Sequence, residues 1–536
     1  MKAIRIKKQE LSLSFKRFIR DAEDDFFPDP IRYKDLTAFK TDVLKQVQRD
    51  LSKAFYGPSV QYATYPFCDW NVPKANYVVR HTICLHPIDR IVYSFILQKL
   101  GPRIENNLSK ARYSYRVKDF NSSRLFGRRV VSQWLSFKTD LKEYIEAHPD
   151  YKFIVSTDIA GFYEYVHITD FKKQMYNLCG ASSSKVIELL NEFLKKLAPW
   201  TFSGIPQNYD PSSYLASAYL DFLDKDLEFA RRKHFRYVDD IKVVCKEKRD
   251  AQLAIIEIIN SLRNFNLNLA THKTEIWHVN EPKYEAFTRE FPKVLDEADK
   301  AIMRKNRRLV NDCFKQLISD MKKITRRGGT SLDERLFRAY IWRIVKCYWF
   351  KDIERVDLTA IAKACFRLLQ EMPERTDTFA RFLSLEKNRK YVQKQVCGII
   401  ETCVYPWQEM RLWSLMTETD KLKENRLLSL ARLRVRDDSY PDAPRAYATL
   451  FLGKYGNYQD RNFIANQVSA SNSFFSTRCN LLAIQEHPEK KSIYNRFLNA
   501  SSDVVIAALI KYLLQASKIE YVQSDTRITG ELEFIS

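Results

Sequence analysis

Two short segments of the chain carry aspartates that could bind divalent cations. Asp158 follows the apolar run FIVST, and Asp239 and Asp240 stand between the two β-rich arms of HFRYVDDIKVV. Phosphoryl transfer from a nucleoside triphosphate uses two divalent ions about 3.5 to 4 Å apart, and Mg²⁺ prefers hard oxygen ligands. Carboxylates at strand ends suit this task because a rigid sheet holds them in place. The two segments therefore predict a site for metal-assisted phosphoryl transfer.

The adjacent pair Asp239-Asp240 calls for a particular explanation. Neighbouring unpaired carboxylates repel and raise each other's pKa, so the pair makes sense where cations neutralise it. The flanking arms predict a tight hairpin with the pair at its tip, and Ala160-Gly161 lets the chain turn from a strand into a helix after Asp158. The alternative is an ordinary solvated hairpin turn, because a lone Tyr-x-Asp-Asp also occurs by chance.

The elements that must position these residues change in type along the chain. Up to about residue 290, short β-rich runs alternate with helical patterns, and the best strand candidates are 153–155 and 235–244. Beyond about residue 300 apolar residues repeat at helical spacing, for example in 336–348, 358–372 and 392–403. Asp503 is the expected N-cap of the apolar run that follows it.

These patterns predict an α+β region over residues 1–290 and an all-α region over residues 291–536. Successive amphipathic helices favour a HEAT-like solenoid of stacked helix pairs, whereas a compact helical bundle remains the alternative because no fixed sequence repeat is visible. The charged stretch from Lys300 to Arg327 is a candidate transition between the two regions. Its basic residues are expected either on a solvated helix face or in contact with nucleic acid.

Charge and cysteine content narrow the class of protein. The chain has 88 Lys and Arg against 66 Asp and Glu, a formal charge of +22, which attracts polyanions and makes nucleic acid or nucleotide the expected partner. A basic surface that serves only solubility is the alternative reading. The ten cysteines form no Cys-x-x-Cys pair, the first residues lack the apolar core of a signal peptide, and no run approaches about 18 apolar residues. We therefore expect a cytoplasmic protein with reduced thiols, without zinc and without a membrane partner.

Read in order, these segments resemble the motifs of the reverse-transcriptase family. The resemblance runs from about residue 70 to 280 and rests on Arg80-His81-Thr82-Ile83, Pro87 to Tyr93, Tyr113-Ser114-Tyr115-Arg116, Asp158 to Tyr163, Gly204-Ile205-Pro206-Gln207 with Ser212, Leu215, Tyr219, Leu220 and Asp224, Tyr237 to Asp240, and Leu267-Asn268-Leu269 with Lys273-Thr274. Arg112 stands where the family has a serine, so that element matches in part. The resemblance implies a fingers and palm domain.

The resemblance also implies roles at the metal site. Asp158 and Asp239 would ligate two Mg²⁺ ions together with the backbone carbonyl of Ile159, and Mn²⁺ is a further candidate. Asp240 would be an outer ligand or electrostatic support.

Further residues would bind the nucleotide. Arg80, assisted by Lys74, would hold the triphosphate of a deoxynucleotide through charge-assisted hydrogen bonds. Tyr163 would lie under the sugar and exclude a 2′-hydroxyl, and Gln207 would meet the incoming nucleotide. Lys273 would protonate or screen the departing pyrophosphate. The alternatives are a surface lysine at 74 and simple core packing of Tyr163.

The chain departs from the family in two places. Asn208 stands where the family usually has glycine, and a side chain there puts ordinary template reading in doubt. Nothing after residue 290 resembles a thumb, a maturase segment, an RNase H or an endonuclease. A palm with an altered second motif, joined to a long helical region, resembles the abortive-infection reverse transcriptases of bacterial antiphage defence, nearest to the type carried by P2-like prophages.

That narrower resemblance implies template-independent DNA synthesis primed from a tyrosine of the protein itself. The implied partners are deoxynucleoside triphosphates, a single-stranded DNA product attached to the protein, and further copies of the chain in a trimer or hexamer, in the bacterial cytoplasm. Two alternatives stay open. One is a retron-like reverse transcriptase that copies a bound RNA template, and the other is a non-catalytic scaffold that binds RNA or senses phage.

Overall fold

Two antiparallel sheets carry the segments singled out above. The computed structural model of the chain describes residues 4–126, 128–198, 203–289, 292–326, 334–350, 353–354, 356–468 and 473–523. Six strands occur in these ranges: β1 (Cys68–Pro73), β2 (Val79–Cys84), β3 (Phe153–Thr157), β4 (His234–Tyr237), β5 (Asp240–Cys245) and β6 (Glu275–His278). Strands β1 and β2 form a hairpin, and the others form a four-stranded sheet in the order β4-β5-β3-β6.

The register of the four-stranded sheet brings the aspartates together. Tyr237 pairs with Asp240 across the β4–β5 turn, and Thr157 at the end of β3 pairs with Ile241 of β5. Because β3 and β5 are antiparallel, the end of β3 lies beside the start of β5. Asp158 therefore emerges next to Asp240. The strands predicted at 153–155 and within 235–244 are both present.

Helices accompany the sheets in the first part of the chain. They are α1 (Lys8–Asp21), α2 (Lys34–Ala38), α3 (Lys40–Ala54), α4 (Pro87–Asn107), α5 (Arg128–Ala147), α6 (Phe162–Tyr165), α7 (Ile168–Cys179), α8 (Ser184–Leu197), α9 (Asp210–Tyr219), α10 (Asp221–Phe229), α11 (Lys248–Arg263) and α12 (Pro282–Thr288). Helix α11 packs on β3 and β5, and α5 packs on β4. The four-stranded sheet is thus buried by helices, as an α+β region requires.

The rest of the chain is largely helical. Its helices are α13 (Lys293–Met303), α14 (Arg307–Arg326), α15 (Glu334–Tyr348), α16 (Thr359–Glu371), α17 (Thr376–Leu383), α18 (Lys390–Thr402), α19 (Pro406–Thr417), α20 (Arg426–Arg436), α21 (Asp442–Tyr455), α22 (Tyr458–Gln467), α23 (Phe474–Ala483), α24 (Lys490–Ala500) and α25 (Val504–Gln515). Helices α15, α16 and α18 occupy the three predicted stretches. Asp503 caps α25, because its Oδ1 accepts a hydrogen bond from the backbone N–H of Val505 at 2.8 Å.

These later helices pack in two rows. Helices α13, α15, α17, α19, α21, α23 and α25 contact one another in that order, and α14, α16, α18 and α20 form a second series of neighbours. We call the part of the chain from α13 to α25 the helical region. The HEAT-like solenoid stays a proposal. Among the described residues, no helix combines the length and the apolar character needed to cross a membrane.

Two hydrophobic cores underlie this architecture. The first extends from Leu11 to Phe287 and the second from Leu295 to Leu513, but each takes in residues from the other part of the chain. The division predicted at 290–291 lies outside the described residues, and so does Arg327, the end of the predicted charged stretch. Most of that stretch forms the end of α13 and all of α14, whose apolar face packs in the second core. The ten cysteines are free thiols.

Candidate active site

Asp158 lies at the end of β3, in a loop held by the segment 268–270. The backbone N–H of Ala160 donates to the Asn268 carbonyl at 2.9 Å, and the Ala270 N–H donates to the Asp158 carbonyl at 2.8 Å. Neither of these hydrogen bonds uses the carbonyl of Ile159. Gly161 then adopts a φ of +55°, which glycine tolerates, and the chain turns into α6.

Asp239 lies in the two-residue turn between β4 and β5, next to a valine with an unusual backbone. Val238 has a φ of +58°, a conformation that is costly for a β-branched side chain. Its N–H donates to the Ser114 hydroxyl oxygen at 2.8 Å, and its carbonyl accepts from the Arg236 guanidinium at 2.8 Å. Both polar groups of the strained residue are therefore held by fixed neighbours.

A fully buried ion pair supports that turn from below. Arg236 Nε donates to Asp224 Oδ1 at 2.7 Å, Arg236 Nη2 also bonds Asp224 Oδ2, and His234 Nε2 lies 3.3 Å from Asp224 Oδ1. Burial disfavours the charged carboxylate, but the guanidinium outweighs it and holds the pKa of Asp224 well below its usual value. Asp224 is among the residues on which the family resemblance rests, but the sequence predicted no role for this residue. In the structure it anchors, through Arg236, the turn that carries Asp239.

The three predicted carboxylates influence one another strongly. Burial, and then the negative charges of Asp158 and Asp240, raise the pKa of Asp239 to about 7, while Lys273 opposes the shift. Lys273 Nζ bonds Asp158 Oδ2. Lys242 Nζ bonds Asp240 Oδ1 and donates to Ser156 Oγ at 3.0 Å. Two of the carboxylates are thus neutralised by ammonium groups, one of which, Lys242, the sequence analysis missed.

The donor chemistry at this position fits a hard divalent cation. In the described part of the chain, no group of three or more His, Cys, Asp or Glu side chains is arranged to hold a metal ion. The carboxylates of Asp158, Asp239 and Asp240 nevertheless accumulate negative charge, seen in the raised pKa of Asp239, and carboxylate oxygens are the ligands that Mg²⁺ prefers. A cation here would take over the neutralising role of the Lys273 ammonium group.

The predicted triphosphate ligands lie on the β1–β2 hairpin, beside the carboxylates. Burial, and then the nearby Arg80, lower the pKa of Lys74, while Glu164 and Asp239 raise it. Burial also lowers the pKa of Arg80, whose neighbours Tyr163, Glu164 and Asp239 act in the opposite direction. Both cations are half-buried, so Lys74 is more than a solvated surface lysine. In the described part of the chain the buried Arg80 Nε has no hydrogen-bond partner.

Tyr163 and Gln207 line one narrow crevice. The crevice is formed by His81, Ile83, Tyr163, Glu164, Gly204, Ile205, Pro206 and Gln207. The Ile205 N–H donates to the Tyr163 carbonyl at 2.9 Å, which joins the segment 158–163 to the segment 204–207. Burial raises the pKa of the Tyr163 phenol well above its usual value, so this side chain stays neutral.

Asn208, at the position where the resemblance expects glycine, adopts a left-handed backbone conformation. Its φ is +67°, in the left-handed region that asparagine tolerates better than most residues, and its Nδ2 donates to the Asp24 carbonyl at 3.2 Å. The next residue, Tyr209, donates its hydroxyl to the Ile83 carbonyl at 2.6 Å. The segment 208–209 is therefore tied to β2 and to the segment after α1.

Sequence reasoning missed the supporting residues Ser114, Arg236 and Lys242. Ser114 belongs to the Tyr-Ser-Tyr-Arg element, but nothing in its neighbourhood indicates a bond to a turn more than 100 residues away. Arg236 and Lys242 are charged residues inside strand patterns. Charged side chains are rarely buried without a partner, so these two residues could have been recognised as members of buried ion pairs.

Comparison with known protein families finds a match over this part of the chain. The model of the family described as Reverse transcriptase (RNA-dependent DNA polymerase) matches residues 72–305. No curated protein matches the chain. The matched range contains all nine predicted site residues, from Lys74 to Lys273, and it extends past residue 290 through α13.

Proposed function

We propose that this chain, which carries a reverse transcriptase domain at residues 72–305, is a DNA polymerase that acts through two Mg²⁺ ions at Asp158 and Asp239. The observation that carries the proposal is the grouping of carboxylates with Lys74, Arg80 and Lys273. Asp158, Asp240 and Lys273 act on the pKa of Asp239, and Arg80, Lys273 and Asp239 act on the pKa of Lys74. Nucleotidyl transfer needs this combination of metal ligands and cations for phosphate.

Each residue of this site would have a separate role in nucleotidyl transfer. Two bound Mg²⁺ ions would activate the attacking hydroxyl and stabilise the leaving pyrophosphate. Asp158, Asp239 and the Ile159 carbonyl would hold them, and Asp240 would support them by its charge. Lys273 now bonds Asp158. When that carboxylate binds a cation, the ammonium group would be released to protonate or screen the pyrophosphate.

Nucleotide selection would fall to the hairpin and the crevice. Lys74 and Arg80 would bind the triphosphate, since charge-assisted hydrogen bonds are about twice as strong as neutral ones. Gln207 would meet the incoming nucleotide. Tyr163 would exclude a 2′-hydroxyl by contact alone, which favours deoxynucleotides.

We further propose that the polymerase serves antiphage defence by abortive infection in the bacterial cytoplasm and works without a template, primed by one of its own tyrosines. The support is the two-row helical region, which takes the place of a thumb and is proposed to be a HEAT-like solenoid. A priming hydroxyl held near the metals would replace a costly bimolecular encounter. Further copies of the chain, in a trimer or hexamer, belong to the same proposal.

Candidate priming tyrosines must be accessible. Of the 29 tyrosines, those more than half exposed in the described part of the chain are Tyr56, Tyr77, Tyr165 and Tyr458. Tyr458 begins α22 in the helical region, whereas Tyr77 and Tyr165 lie close in sequence to predicted site residues. Replacement of each by phenylalanine, one at a time, separates a lost priming hydroxyl from a lost aromatic ring.

The test is incubation of the purified chain with deoxynucleotides and Mg²⁺ without template, followed by a denaturing gel. DNA that remains attached to the polypeptide until protease treatment supports protein priming, and one Tyr→Phe variant should then lose the adduct. Product that forms only when an RNA template and a primer are added supports the alternative, an RNA-templated reverse transcriptase. That alternative is favoured by the family description, RNA-dependent DNA polymerase. No incorporation under any condition would favour a non-catalytic scaffold.

A further inference from the structure

We infer that Tyr405 and Trp407, at the start of α19, position the β1–β2 hairpin and thereby make the helical region part of the nucleotide site. Tyr405, Pro406 and Trp407 are consecutive, and Pro406 opens the helix with the φ that its ring imposes. The inference rests on the proposed role of Lys74 and Arg80 in binding the triphosphate. It adds two positioning residues that lie far outside the reverse-transcriptase domain in sequence.

The β1–β2 hairpin packs against the helical region. Cys68, Val72 and Cys84 of the hairpin belong to the second hydrophobic core, and α19 packs directly on β1. The Trp70 ring lies 4.4 Å from the ring of Phe27 and 5.1 Å from that of Phe475, between centroids. The position of the hairpin therefore depends on helices that follow it by more than 300 residues.

Trp407 reaches Arg80 through one intermediate ring. Trp407 is 2% exposed, and its indole N–H donates to the Phe26 carbonyl at 2.8 Å. The two rings stand perpendicular, with centroids 6.4 Å apart. The guanidinium carbon of Arg80 lies 5.8 Å from the centroid of the Phe26 ring on its face. Trp407 thus fixes the surface on which Arg80 rests.

This form of support leaves the arginine available for a ligand. A cation–π contact holds a guanidinium by its flat face and uses none of its five N–H donors. In the described part of the chain the buried Nε of Arg80 has no hydrogen-bond partner. A carboxylate in the place of Phe26 would hold Arg80 more tightly but would also occupy its donors and cancel its charge. An aromatic face is the better support for a residue that must bind phosphate.

Tyr405 holds the other end of the same hairpin. Its hydroxyl donates to the Tyr77 carbonyl at 2.9 Å. Asn76 and Tyr77 both have positive φ, +61° and +62°, so the turn between Lys74 and Arg80 is strained. The turn is also exposed, with Tyr77 63% accessible, and another neighbour is the segment Pro373–Arg375. The hydrogen bond from Tyr405 therefore gives this exposed, strained turn a fixed contact with the helical region.

The experiment compares two tryptophans of one helix. Trp407→Phe keeps a buried ring and removes the N–H that holds Phe26. Trp413→Phe is the matched control, because Trp413 is also buried in α19 and donates its N–H to Glu409 at 3.0 Å, away from the hairpin. We expect Trp407→Phe to raise the KM for deoxynucleotide about tenfold, Tyr405→Phe about threefold and Trp413→Phe not at all, with kcat little changed in each. Tyr391→Phe is the control for the lost tyrosine hydroxyl.

A binding measurement separates this inference from the proposed function. The dissociation constant of a deoxynucleoside triphosphate with an α,β-imido linkage, measured with Mg²⁺ on the full chain, should rise by the same factors as KM. If wild-type protein binds this probe but incorporates no nucleotide, the proposed polymerase activity fails while the inference is still tested by binding. Equal shifts in Trp407→Phe and Trp413→Phe, or no shift in either, would overturn the positioning role.

A second variant covers the case in which Trp407→Phe folds poorly. Phe26→Leu removes the aromatic face under Arg80 from a half-buried position, and we expect the same rise of about tenfold in the dissociation constant. Both changes act on the same aromatic support of Arg80. The double variant Trp407→Phe, Phe26→Leu should therefore raise the dissociation constant by less than the product of the two single increases. Fully multiplicative effects would contradict a path from Trp407 through Phe26 to Arg80.

Discussion

The two hairpins of the site, β1–β2 and β4–β5, are held in opposite ways. Both are antiparallel, both carry predicted site residues, and both turn through non-glycine residues at positive φ. The β4–β5 turn is fixed from within its own domain by Ser114 and by the buried pair Arg236–Asp224. The β1–β2 turn is exposed and is contacted by the helical region through Tyr405. The proposed metal ligands are thus held within their own domain, whereas the proposed triphosphate ligands depend on a second region.

This difference suggests a division between chemistry and control. A change in the helical region would reach Lys74 and Arg80 through the hairpin and leave Asp158 and Asp239 in place. Such a change would alter the affinity for nucleotide more than the rate of the chemical step. The contacts that hold the β4–β5 turn and those that hold the β1–β2 turn can be tested separately.

The largest effect is expected from the buried pair under the β4–β5 turn. Asp224→Asn leaves the Arg236 guanidinium buried with its charge uncompensated, which should lower the free energy of unfolding by about 3–5 kcal/mol and abolish incorporation. Urea denaturation measures the loss. Asp250→Asn, at the start of α11, is the control and should change stability by less than about 0.5 kcal/mol. Equal stability of the two variants would show that the turn does not depend on this ion pair.

Arg80→Ala should have a large effect on binding and a small one on folding. The loss of charge-assisted hydrogen bonds to phosphate is expected to raise the KM for deoxynucleotide about 10- to 100-fold, because such bonds contribute about 1.5–3 kcal/mol. The unfolding midpoint should hardly move, since Arg80 rests on a ring rather than in a buried ion pair. Arg49→Ala, an exposed change on α3, is the control. An unchanged KM would remove Arg80 from the triphosphate site.

Tyr163 should set the preference between sugars. Tyr163→Val or Tyr163→Ala opens the crevice shared with Gln207 and should raise the use of ribonucleotides relative to deoxynucleotides, because the excluding contact is steric. Competition between labelled ribo- and deoxynucleotides measures the ratio of kcat/KM values. Tyr219→Phe, a buried change in α9 that leaves the ring in place, is the control. If the ratio stays constant in the Tyr163 variants, Tyr163 is a packing residue.

The smallest effects are expected from relieving backbone strain in the β4–β5 turn and in the β1–β2 turn. Val238→Gly should be more stable than Val238→Ala by about 1 kcal/mol, because both changes delete the buried valine side chain and only glycine relieves the strain of positive φ. Asn76→Gly should gain only a few tenths of a kcal/mol, since asparagine tolerates this conformation. Thermal unfolding of the variants at residues 238 and 76 gives these differences in stability. A larger gain at Asn76 would reverse the assignment of strain.

Local patterns in the sequence predicted the parts of the site that depend on neighbouring residues. The apolar run before Asp158, the hairpin arms around Asp239 and the turn at Gly161 all appear in the structure. Helices α15, α16 and α18 follow from apolar periodicity in the same way.

Contacts between distant segments could not be predicted in this way. The attachment of the β1–β2 hairpin to α19 joins residues more than 300 positions apart, and no periodicity encodes such a partner. The bonds from Ser114 to Val238 and from Trp407 to Phe26 were missed for the same reason. Asn208 was interpreted from its side chain, and nothing in the sequence indicated that its backbone lies in the left-handed region, at a φ of +67°.

We propose that Asp158, Asp239 and Asp240 catalyse Mg²⁺-dependent nucleotidyl transfer. Asp239→Asn combined with Asp240→Asn removes charge with almost no change in volume, so the variant should stay folded. The most direct measurement is incorporation of labelled deoxynucleotide by this double variant beside the wild type and Asp250→Asn, at matched concentration and with circular dichroism to verify the fold. We predict no incorporation above background for the double variant and wild-type incorporation for Asp250→Asn. Incorporation at the wild-type rate by a folded double variant would contradict the assignment of the active site.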